Sequence, residues 1–159
     1  MNALTDLFAL DRITLNNPAK NRVEAFAAAG ALFAKQAGLE AQAIIGFLNA
    51  REDLGSTALG AGVAIPHGRV KGLKHPIAAF VKLKDPIEFA APDGEAVSIL
   101  IFLLVPEKAT QQHLEILSSI AQLLSNQDTR KSLTSESSSE KVYQFLQTWG
   151  SAWLSNLYS

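Results

Sequence analysis

The stretch from Val97 to Val105, VSILIFLLV, is apolar at every position except Ser98, in a chain of 159 residues. It is rich in β-branched residues and is followed by Pro106, which has no backbone N–H to donate to a sheet. A strand that faces solvent on one side alternates apolar and polar residues, whereas a strand covered on both sides is apolar throughout. Residues 97–105 therefore predict a central strand with helices on both faces of its sheet.

Amphipathic helices are predicted before and after this strand in the sequence. Apolar residues recur at helical spacing at about 20–37, 40–52, 110–125 (with Thr110 as a possible N-cap), 139–149 and, more weakly, 126–133. Between the second and third helices the pattern predicts shorter strands, at 78–84 and on either side of the glycine turn in TALG and GVAI, 57–65. Helices that flank a block of strands predict an α/β fold with a central mixed β-sheet.

The length of the chain fits a single domain with one hydrophobic core. No internal repeat and no linker divides the sequence. We assign residues 1–150 to that domain and residues 151–159, which follow Gly150, to a C-terminal tail of unknown order.

The composition excludes several classes of protein. The formal net charge is -1 at pH 7, so no excess of charge predicts binding to nucleic acid or to a membrane surface. The sequence has no cysteine, which excludes disulfides, thiolate metal sites and cysteine nucleophiles. The Ala-rich run after Lys20 imitates a secretory signal, but it carries Glu24 and ends at Lys35. We expect a soluble cytoplasmic protein without membrane insertion.

The segment LGAGVAIPHGRVKGLKH, 59–75, contains the main candidate for chemistry. Pro66 fixes its own φ and holds Ile65 in extended geometry, and Gly68 permits a positive φ, so the sequence predicts a turn that displays His67 at the end of a strand. A neutral imidazole is a good nucleophile through one nitrogen when the other nitrogen keeps the proton. The tetrapeptide alone fits a plain turn equally well.

The charges near this segment favour an anionic ligand. No acidic residue lies between Leu54 and Lys84, whereas five cations do: Arg69, Lys71, Lys74, Lys82 and Lys84. For the individual lysines, a solvated basic surface is the simpler interpretation.

Arg51 and His113 are the two other candidates. Helical spacing places Arg51 on the apolar stripe of Ile44, Phe47 and Leu48, and an inward arginine needs an anionic partner such as a phosphoryl group. His113 lies in the first turn of the third helix, just after the central strand. Open α/β sheets tend to bind ligands there, although a lone histidine on an apolar face is usually part of the core.

These residues resemble a known phosphohistidine signature. The signature begins with an acid or amide, continues with an aliphatic and a small residue, and ends in aliphatic-Ala-aliphatic-Pro-His-small. This sequence matches it at the required spacing with Glu52, then Leu59 and Gly60, then Val63-Ala64-Ile65-Pro66-His67-Gly68. Two further segments also resemble proteins that carry this signature. They are REDLGST, 51–57, and the run FLLVP that leads to QQHL, 111–114. Over residues 5–148 the chain resembles the fructose/mannitol-type IIA proteins of the bacterial phosphoenolpyruvate phosphotransferase system. A departure is Ala58, where relatives often have glycine.

The resemblance implies a role for each matched residue. His67 would be the phosphoacceptor, attacking through Nε2 while a backbone carbonyl holds its Nδ1–H, and Arg51 and His113 would contact the phosphoryl oxygens. Ser56, Thr57 and Gly68 would line the phosphate pocket. The protein would be a phosphoryl carrier rather than a turnover enzyme, with no cofactor and no metal. Its phosphoryl donor would be a small histidine phosphocarrier similar to HPr.

A stand-alone domain with the run AIPHGR most resembles the nitrogen-regulatory branch of the family, IIA-Ntr, whose phosphorylation state regulates other proteins. The sequence does not identify those targets. An alternative within the family is a sugar-specific IIA component that passes phosphate to a permease IIB domain. An alternative of another class is a metal-dependent hydrolase that uses His67 and His113, with His75 as a further candidate ligand. A pure interaction module would leave Arg51 and His113 without a role.

Overall fold

The computed structural model of the chain describes residues 7–108 and 111–158, without the side chains of residues 36, 37, 112 and 151–158. Within these residues one sheet contains six strands: β1 Ile13–Asn17, β2 Ala58–Gly60, β3 Val63–Ala64, β4 His67–Val70, β5 Ile77–Ile87 and β6 Val97–Pro106. A short 3-10 helix, Leu10–Arg12, precedes the α-helices α1 Arg22–Ala37, α2 Ala41–Glu52, α3 Gln111–Ser125, α4 Gln127–Ser135 and α5 Ser139–Tyr158.

The apolar run at 97–105 is the central strand β6, as predicted. On one side β6 pairs with the antiparallel strand β5, which in turn pairs with β1 in parallel. On its other side β6 pairs in parallel with β3 and then with β4, while β2 forms an antiparallel hairpin with β3. The prediction of a mixed sheet is confirmed.

Alternate side chains of β6 belong to two separate apolar cores. Ile99, Ile101 and Leu103 pack with α3, α4 and α5, whereas Leu100 and Phe102 pack with α1 and α2 on the opposite face. These side chains are at most 1% exposed. The continuous apolar pattern of β6 therefore has the predicted cause, which is a layer of helices on each face of the sheet.

The predicted turn around His67 is wrong. β3 and β4 both follow the same edge of β6, and the chain between them is interrupted for two residues, Ile65 and Pro66. The carbonyl oxygen of Pro66 accepts a hydrogen bond from the backbone N–H of Leu103, and at His67 strand pairing begins again. Proline is tolerated there because no ladder hydrogen bond needs its missing N–H. His67 therefore begins a strand instead of forming the tip of a turn.

The predicted helices are present, with changes at their ends. α4 runs to Ser135, and α5 continues beyond the predicted end at residue 149 to Tyr158, without a break at Gly150. The possible N-cap Thr110 lies outside the described residues. In the described part of the chain, none of the helices combines the length and the apolar character needed to cross a bilayer.

Candidate functional site

His67, Arg51 and His113, the three residues proposed for chemistry, line one cavity of about 460 Å³ at the edge of the sheet. The cavity lies between the end of α2, the start of α3 and strand β4. Its wall is mostly apolar and includes Leu103 and Leu117. Residues that are far apart in sequence thus come together as the sequence predicted.

The imidazole of His67 has a defined orientation. Its Nδ1 lies 2.9 Å from the carbonyl oxygen of Ile65, and because a carbonyl can only accept, Nδ1 carries the proton in the neutral ring. The lone pair is then on Nε2. Burial lowers the pKa of His67 and the charge of Arg51 lowers it further, while the Ile65 carbonyl and Glu52 act in the opposite direction. The lowered pKa favours the neutral, nucleophilic form.

Arg51 lies at the rim of the cavity rather than in the core. The residues of α2 that are buried are Ile44, Leu48 and Glu52, whereas Phe47 is 36% exposed and shares the cavity wall with Arg51. The predicted inward stripe is therefore wrong at Arg51, because the helix is turned so that the i, i+4, i+8 row faces the sheet. Nη1 of Arg51 donates to the carbonyl oxygen of Gly55 at 2.7 Å.

His113 is in the first turn of α3 and is 9% exposed. Burial lowers its pKa, so the neutral ring is favoured here as well. It faces the cavity from the opposite side to α2. A neutral imidazole in this place can donate one hydrogen bond to an anion.

The residues predicted to line the phosphate pocket are Ser56, Thr57 and Gly68. Ser56 and Thr57 line a smaller cavity that also includes Arg51 and His67, but the Ser56 hydroxyl donates to the carbonyl oxygen of Phe89. Thr57 is 6% exposed, with its backbone N–H and hydroxyl both bonded elsewhere.

Gly68 adjoins the imidazole, but a positive φ is not what requires a glycine there, because Gly68 has none. A Cβ at Gly68 would lie 3.1 Å from Cβ of Phe47 and 3.2 Å from its carbonyl carbon. The glycine is needed for the close approach of β4 to α2, and the predicted reason, a positive φ, is wrong.

Two further residues belong to the site. Arg69 lines the cavity because β4 is a strand, in which residues two apart share a face. Period-two spacing would have indicated it once residues 67–70 were taken as a strand. Glu52 is 6% exposed, and both of its carboxylate oxygens accept hydrogen bonds from Thr57. The sequence did indicate Glu52 in one way, because Glu52 is the first residue of the phosphohistidine signature.

An apolar surface surrounds the cavity. Leu54 is 85% exposed and Leu114 is 58% exposed, and both line the cavity together with Phe47. Large exposed apolar side chains that cluster around a polar site are typical of a protein–protein contact surface.

The described residues give no support to the metal-dependent hydrolase. Among them, no group of three or more His, Asp or Glu side chains is placed to hold a metal ion. His75 is exposed in the loop between β4 and β5, and in the described chain it is not part of the cavity wall with His67 and His113.

Comparisons with known proteins agree with the fold and with the signature. Residues 6–149 match the family model described as phosphoenolpyruvate-dependent sugar phosphotransferase system, EIIA 2. A nitrogen regulatory protein of Pseudomonas aeruginosa is 48% identical over 107 residues, which cover 67% of this chain and 70% of that protein. A nitrogen regulatory protein of Bradyrhizobium diazoefficiens is 36% identical over 143 residues, or 90% and 94% of the two chains.

The crystal structure of nitrogen regulatory protein IIA-Ntr from Neisseria meningitidis matches with a TM-score of 0.86 and 41% identity, over 91% of this chain and 99% of that chain. The predicted resemblance is thereby confirmed. The chain belongs to the EIIA 2 family of the phosphoenolpyruvate-dependent sugar phosphotransferase system, and among its relatives are nitrogen regulatory proteins.

Proposed function

We propose that this protein is a histidine phosphoryl carrier that accepts phosphate on Nε2 of His67 from a phosphocarrier similar to HPr, and that its phosphorylation state acts in nitrogen-related regulation. The observation that supports this most directly is the Nδ1–H hydrogen bond of His67 to Ile65 in a cavity shared with Arg51 and His113. The ring is held with its nucleophilic nitrogen free, beside two groups able to donate to an anion.

The transfer step needs no group beyond the two proteins. The lone pair of Nε2 of His67 forms a bond to phosphorus while the bond between phosphorus and the donor's imidazole nitrogen breaks, and that nitrogen keeps the electron pair. The proton on Nδ1 of His67 stays in place, so the ring acquires positive charge as the new bond forms. The Ile65 carbonyl oxygen, 2.9 Å from Nδ1, stabilises this charge.

The surrounding cations and donors stabilise the transferred group. In a loose phosphoryl-transfer transition state the charge is spread over the equatorial oxygens, so positioned donors contribute most of the catalysis. We assign this role to the guanidinium of Arg51 and the imidazole of His113, with Arg69 as a further cation on the wall. Ser56, Thr57 and Gly68 shape the wall of the proposed phosphate pocket rather than contact the phosphate: the Ser56 and Thr57 hydroxyls are bonded elsewhere, and Gly68 leaves the wall beside His67 without a side chain.

The apolar rim supports a protein as the phosphoryl donor. Leu54 and Leu114 are exposed beside the cavity, where they would be covered by a docked phosphocarrier. A small-molecule donor would require no such surface.

Two features favour the nitrogen-regulatory branch over a sugar-specific IIA component. The chain is 48% and 36% identical to proteins named as nitrogen regulatory, and its fold matches IIA-Ntr over nearly the whole of both chains. If the protein instead served a sugar permease, its phosphoryl group would pass rapidly to a IIB domain, and this transfer can be measured.

The test is incubation with phosphoenolpyruvate, the first enzyme of the system and its histidine phosphocarrier. We expect an acid-labile, alkali-stable phosphate on the wild type and none on His67→Gln. Arg51→Lys should lower the rate of acceptance on the order of 100-fold, because a lysine cannot reproduce bidentate contact with the phosphoryl oxygens. His113→Asn should also accept phosphate more slowly.

Arg22→Lys is the control for Arg51→Lys. Arg22 lies in α1 and pairs with Asp53 at 2.9 Å on the surface, and in the described structure it is not part of the wall around His67. Its substitution should leave the rate unchanged. Phosphate that remains on His67→Gln would contradict the proposal.

A further inference from the structure

The carbonyl that holds His67 is itself held by a chain of hydrogen bonds that begins at a buried carboxylate. Oε2 of Glu52 accepts the backbone N–H of Thr57 at 2.7 Å, and Oε1 accepts the Thr57 hydroxyl at 2.7 Å. The Thr57 carbonyl oxygen accepts the backbone N–H of Ile65 at 3.1 Å. The Ile65 carbonyl oxygen accepts Nδ1–H of His67 at 2.9 Å.

We propose that Glu52 is a positioning residue for phosphoryl transfer, because through the backbone of Thr57 and Ile65 it fixes the orientation of His67 with the proton on Nδ1. We call this connection the Glu52 relay. The proposal rests on the proposed function of His67, but the part that concerns the ring can be tested without any phosphoryl transfer.

The local structure explains why such a relay is needed. Ile65 and Pro66 lie in the interruption between β3 and β4, so the Ile65 peptide is outside the pairing of those strands with β6. Its N–H is bonded to Thr57 and its carbonyl oxygen to His67. The backbone at Ile65 keeps its orientation when the N–H and the C=O, which belong to the peptide groups on either side of its Cα, are both bonded.

Thr57 in turn is held in place by the side chain of Glu52. It follows the loop that leaves α2, and Glu52, the last residue of that helix, accepts from both its N–H and its hydroxyl. Glu52 and Thr57 are each 6% exposed, so water does not readily replace these bonds. The preceding residue, Arg51, bonds the Gly55 carbonyl in the same loop. The end of α2 thus positions both the phosphate-contacting arginine and the peptide that orients the nucleophile.

The relay has a consequence for reactivity as well as for geometry. As the bond from Nε2 to phosphorus forms, the ring becomes cationic, and the bond from Nδ1–H to the Ile65 carbonyl becomes charge-assisted and stronger. The Ile65 carbonyl forms its peptide group with Pro66, which has no N–H, so the relay acts on this bond by holding the carbonyl oxygen in place. A ring that could rotate, or carry its proton on Nε2, would present no lone pair to the donor.

Two substitutions of Glu52 separate geometry from charge. Glu52→Gln keeps an oxygen within reach of the Thr57 N–H and offers an amide N–H to the Thr57 hydroxyl, but it removes the charge. Glu52→Asp keeps the charge but shortens the side chain by one methylene, so its carboxylate no longer reaches both groups. Glu88→Gln is the matched control. The exposed Glu88 carboxylate lies with Glu52 on the wall of a third cavity, which does not include His67, but it bonds the N–H of Ala90.

The first readout is the tautomer of His67, from the 15N shifts of its two ring nitrogens at a pH of about 8, where an ordinary histidine is neutral. We expect Nδ1–H in the wild type, Glu52→Gln and Glu88→Gln, and a mixture of tautomers in folded Glu52→Asp. The second readout is the rate of phosphate acceptance from the phosphocarrier. It should fall about tenfold in Glu52→Asp and less than threefold in Glu52→Gln, in line with the loss of one ordering hydrogen bond.

A merely structural role for Glu52 would lower the stability of Glu52→Asp without changing the tautomer in its folded molecules. The relay is overturned if folded Glu52→Asp keeps the wild-type tautomer and rate, or if Glu52→Gln is impaired as much as Glu52→Asp, since charge would then be what matters. If Glu52→Asp does not fold, the equally short Glu52→Asn replaces it. If the wild type itself accepts no phosphate, the proposed function fails, and the tautomer measurement still decides the relay.

Discussion

Nδ1 of His67 is hydrogen-bonded to the carbonyl oxygen of Ile65, the residue two positions before it, at a distance of 2.9 Å. Ile65 and Pro66 lie between the strands β3 and β4, and the carbonyl oxygen of Ile65 bonds the ring. A short sequence, Ile-Pro-His, thus contains both the nucleophile and the group that orients it. The state of this imidazole can be followed by its titration.

The rate of phosphate acceptance should depend on pH less than for an ordinary histidine. Burial, with a smaller effect from Arg51, lowers the pKa of His67 below its ordinary value of 6.5, so the ring stays neutral as the pH falls through that value. As the pH falls, we expect the rate to fall at a lower pH than it would for a histidine of ordinary pKa. The 1H chemical shifts of the ring give that pKa directly, and a midpoint above 6.5 would contradict the prediction.

The lowered pKa values also predict how stability depends on pH. Burial lowers the pKa of both His67 and His113, so below about pH 6.5 the unfolded chain takes up protons that the folded protein does not. The two histidines therefore contribute a loss of unfolding free energy as the pH falls from 6.5 through the lowered pKa values, and no change above 6.5. Urea unfolding between neutral pH and about pH 5 should show a smaller loss for His113→Gln than for the wild type. An equal loss would show that His113 does not titrate in this way.

Gly68→Ala should damage both stability and transfer. Its Cβ would meet the backbone of Phe47 at 3.2 to 3.3 Å, so β4 and α2 must move apart by a few tenths of an ångström. We expect a loss of about 1–3 kcal/mol in unfolding free energy and a slower rate in the folded protein, because the shift separates His67 from Arg51.

The control for Gly68→Ala is Gly46→Ala, in α2. Among the described residues, no atom beyond the helix's own nearby backbone lies within 4 Å of a Cβ built there, and Gly46 has no positive φ. Alanine should stabilise this helix by about 0.5–1 kcal/mol and leave the rate unchanged. If Gly68→Ala were as stable as Gly46→Ala, the close approach of β4 to α2 would not matter.

The sequence predicts the fold well where burial is set by a long local pattern. The run at 97–105 requires cover on both faces, as observed. The spacing of His113, Leu117, Ile120 and Leu124 predicts one helical stripe, of which His113, Ile120 and Leu124 are buried and Leu117 is partly buried at the cavity wall. Such patterns contain enough residues to define a face. The resemblance to the family adds residues that local patterns do not assign.

The parts that were not predicted depend on contacts between distant segments. β4 is a strand because β6 offers it an edge, and nothing within residues 65–68 reveals that partner. Helical spacing places Arg51 near an apolar stripe, but whether Arg51 or Glu52 faces the core depends on Thr57, which returns to bond Glu52. Glu52 faces the core in the same row as Ile44 and Leu48, and spacing within the helix does not by itself distinguish that row from the one that contains Arg51.

Lys82 belongs to the basic tract around His67, but we predict that it acts on stability and not on transfer. Its Nζ donates to the carbonyl oxygens of Leu133, Thr134 and Glu136 at the end of α4, and burial lowers its pKa. Lys82→Met leaves these carbonyls without the cation and should lower the unfolding free energy by about 2 kcal/mol. The exposed neighbour Lys84 is the control, and Lys84→Met should change it by less than about 0.5 kcal/mol. The rate for folded protein should be unchanged in both variants, and a slower rate in Lys82→Met would place Lys82 in the site after all.

Leu54→Ser should weaken the docking of the phosphocarrier without changing the chemical step. Leu54 is 85% exposed on the rim of the cavity, so its loss has little effect on folding but removes apolar contact area from the proposed interface. We expect KM for the phosphocarrier to rise about fivefold to tenfold, with kcat unchanged, in steady-state transfer assays. Val23→Ser is the matched control, because Val23 is 77% exposed on α1 and is not among the residues that line the described cavity. Equal KM values for the two variants would mean that the donor does not dock on the rim, whereas a fall in kcat would mean that Leu54 also helps to hold Arg51 or His67 in place.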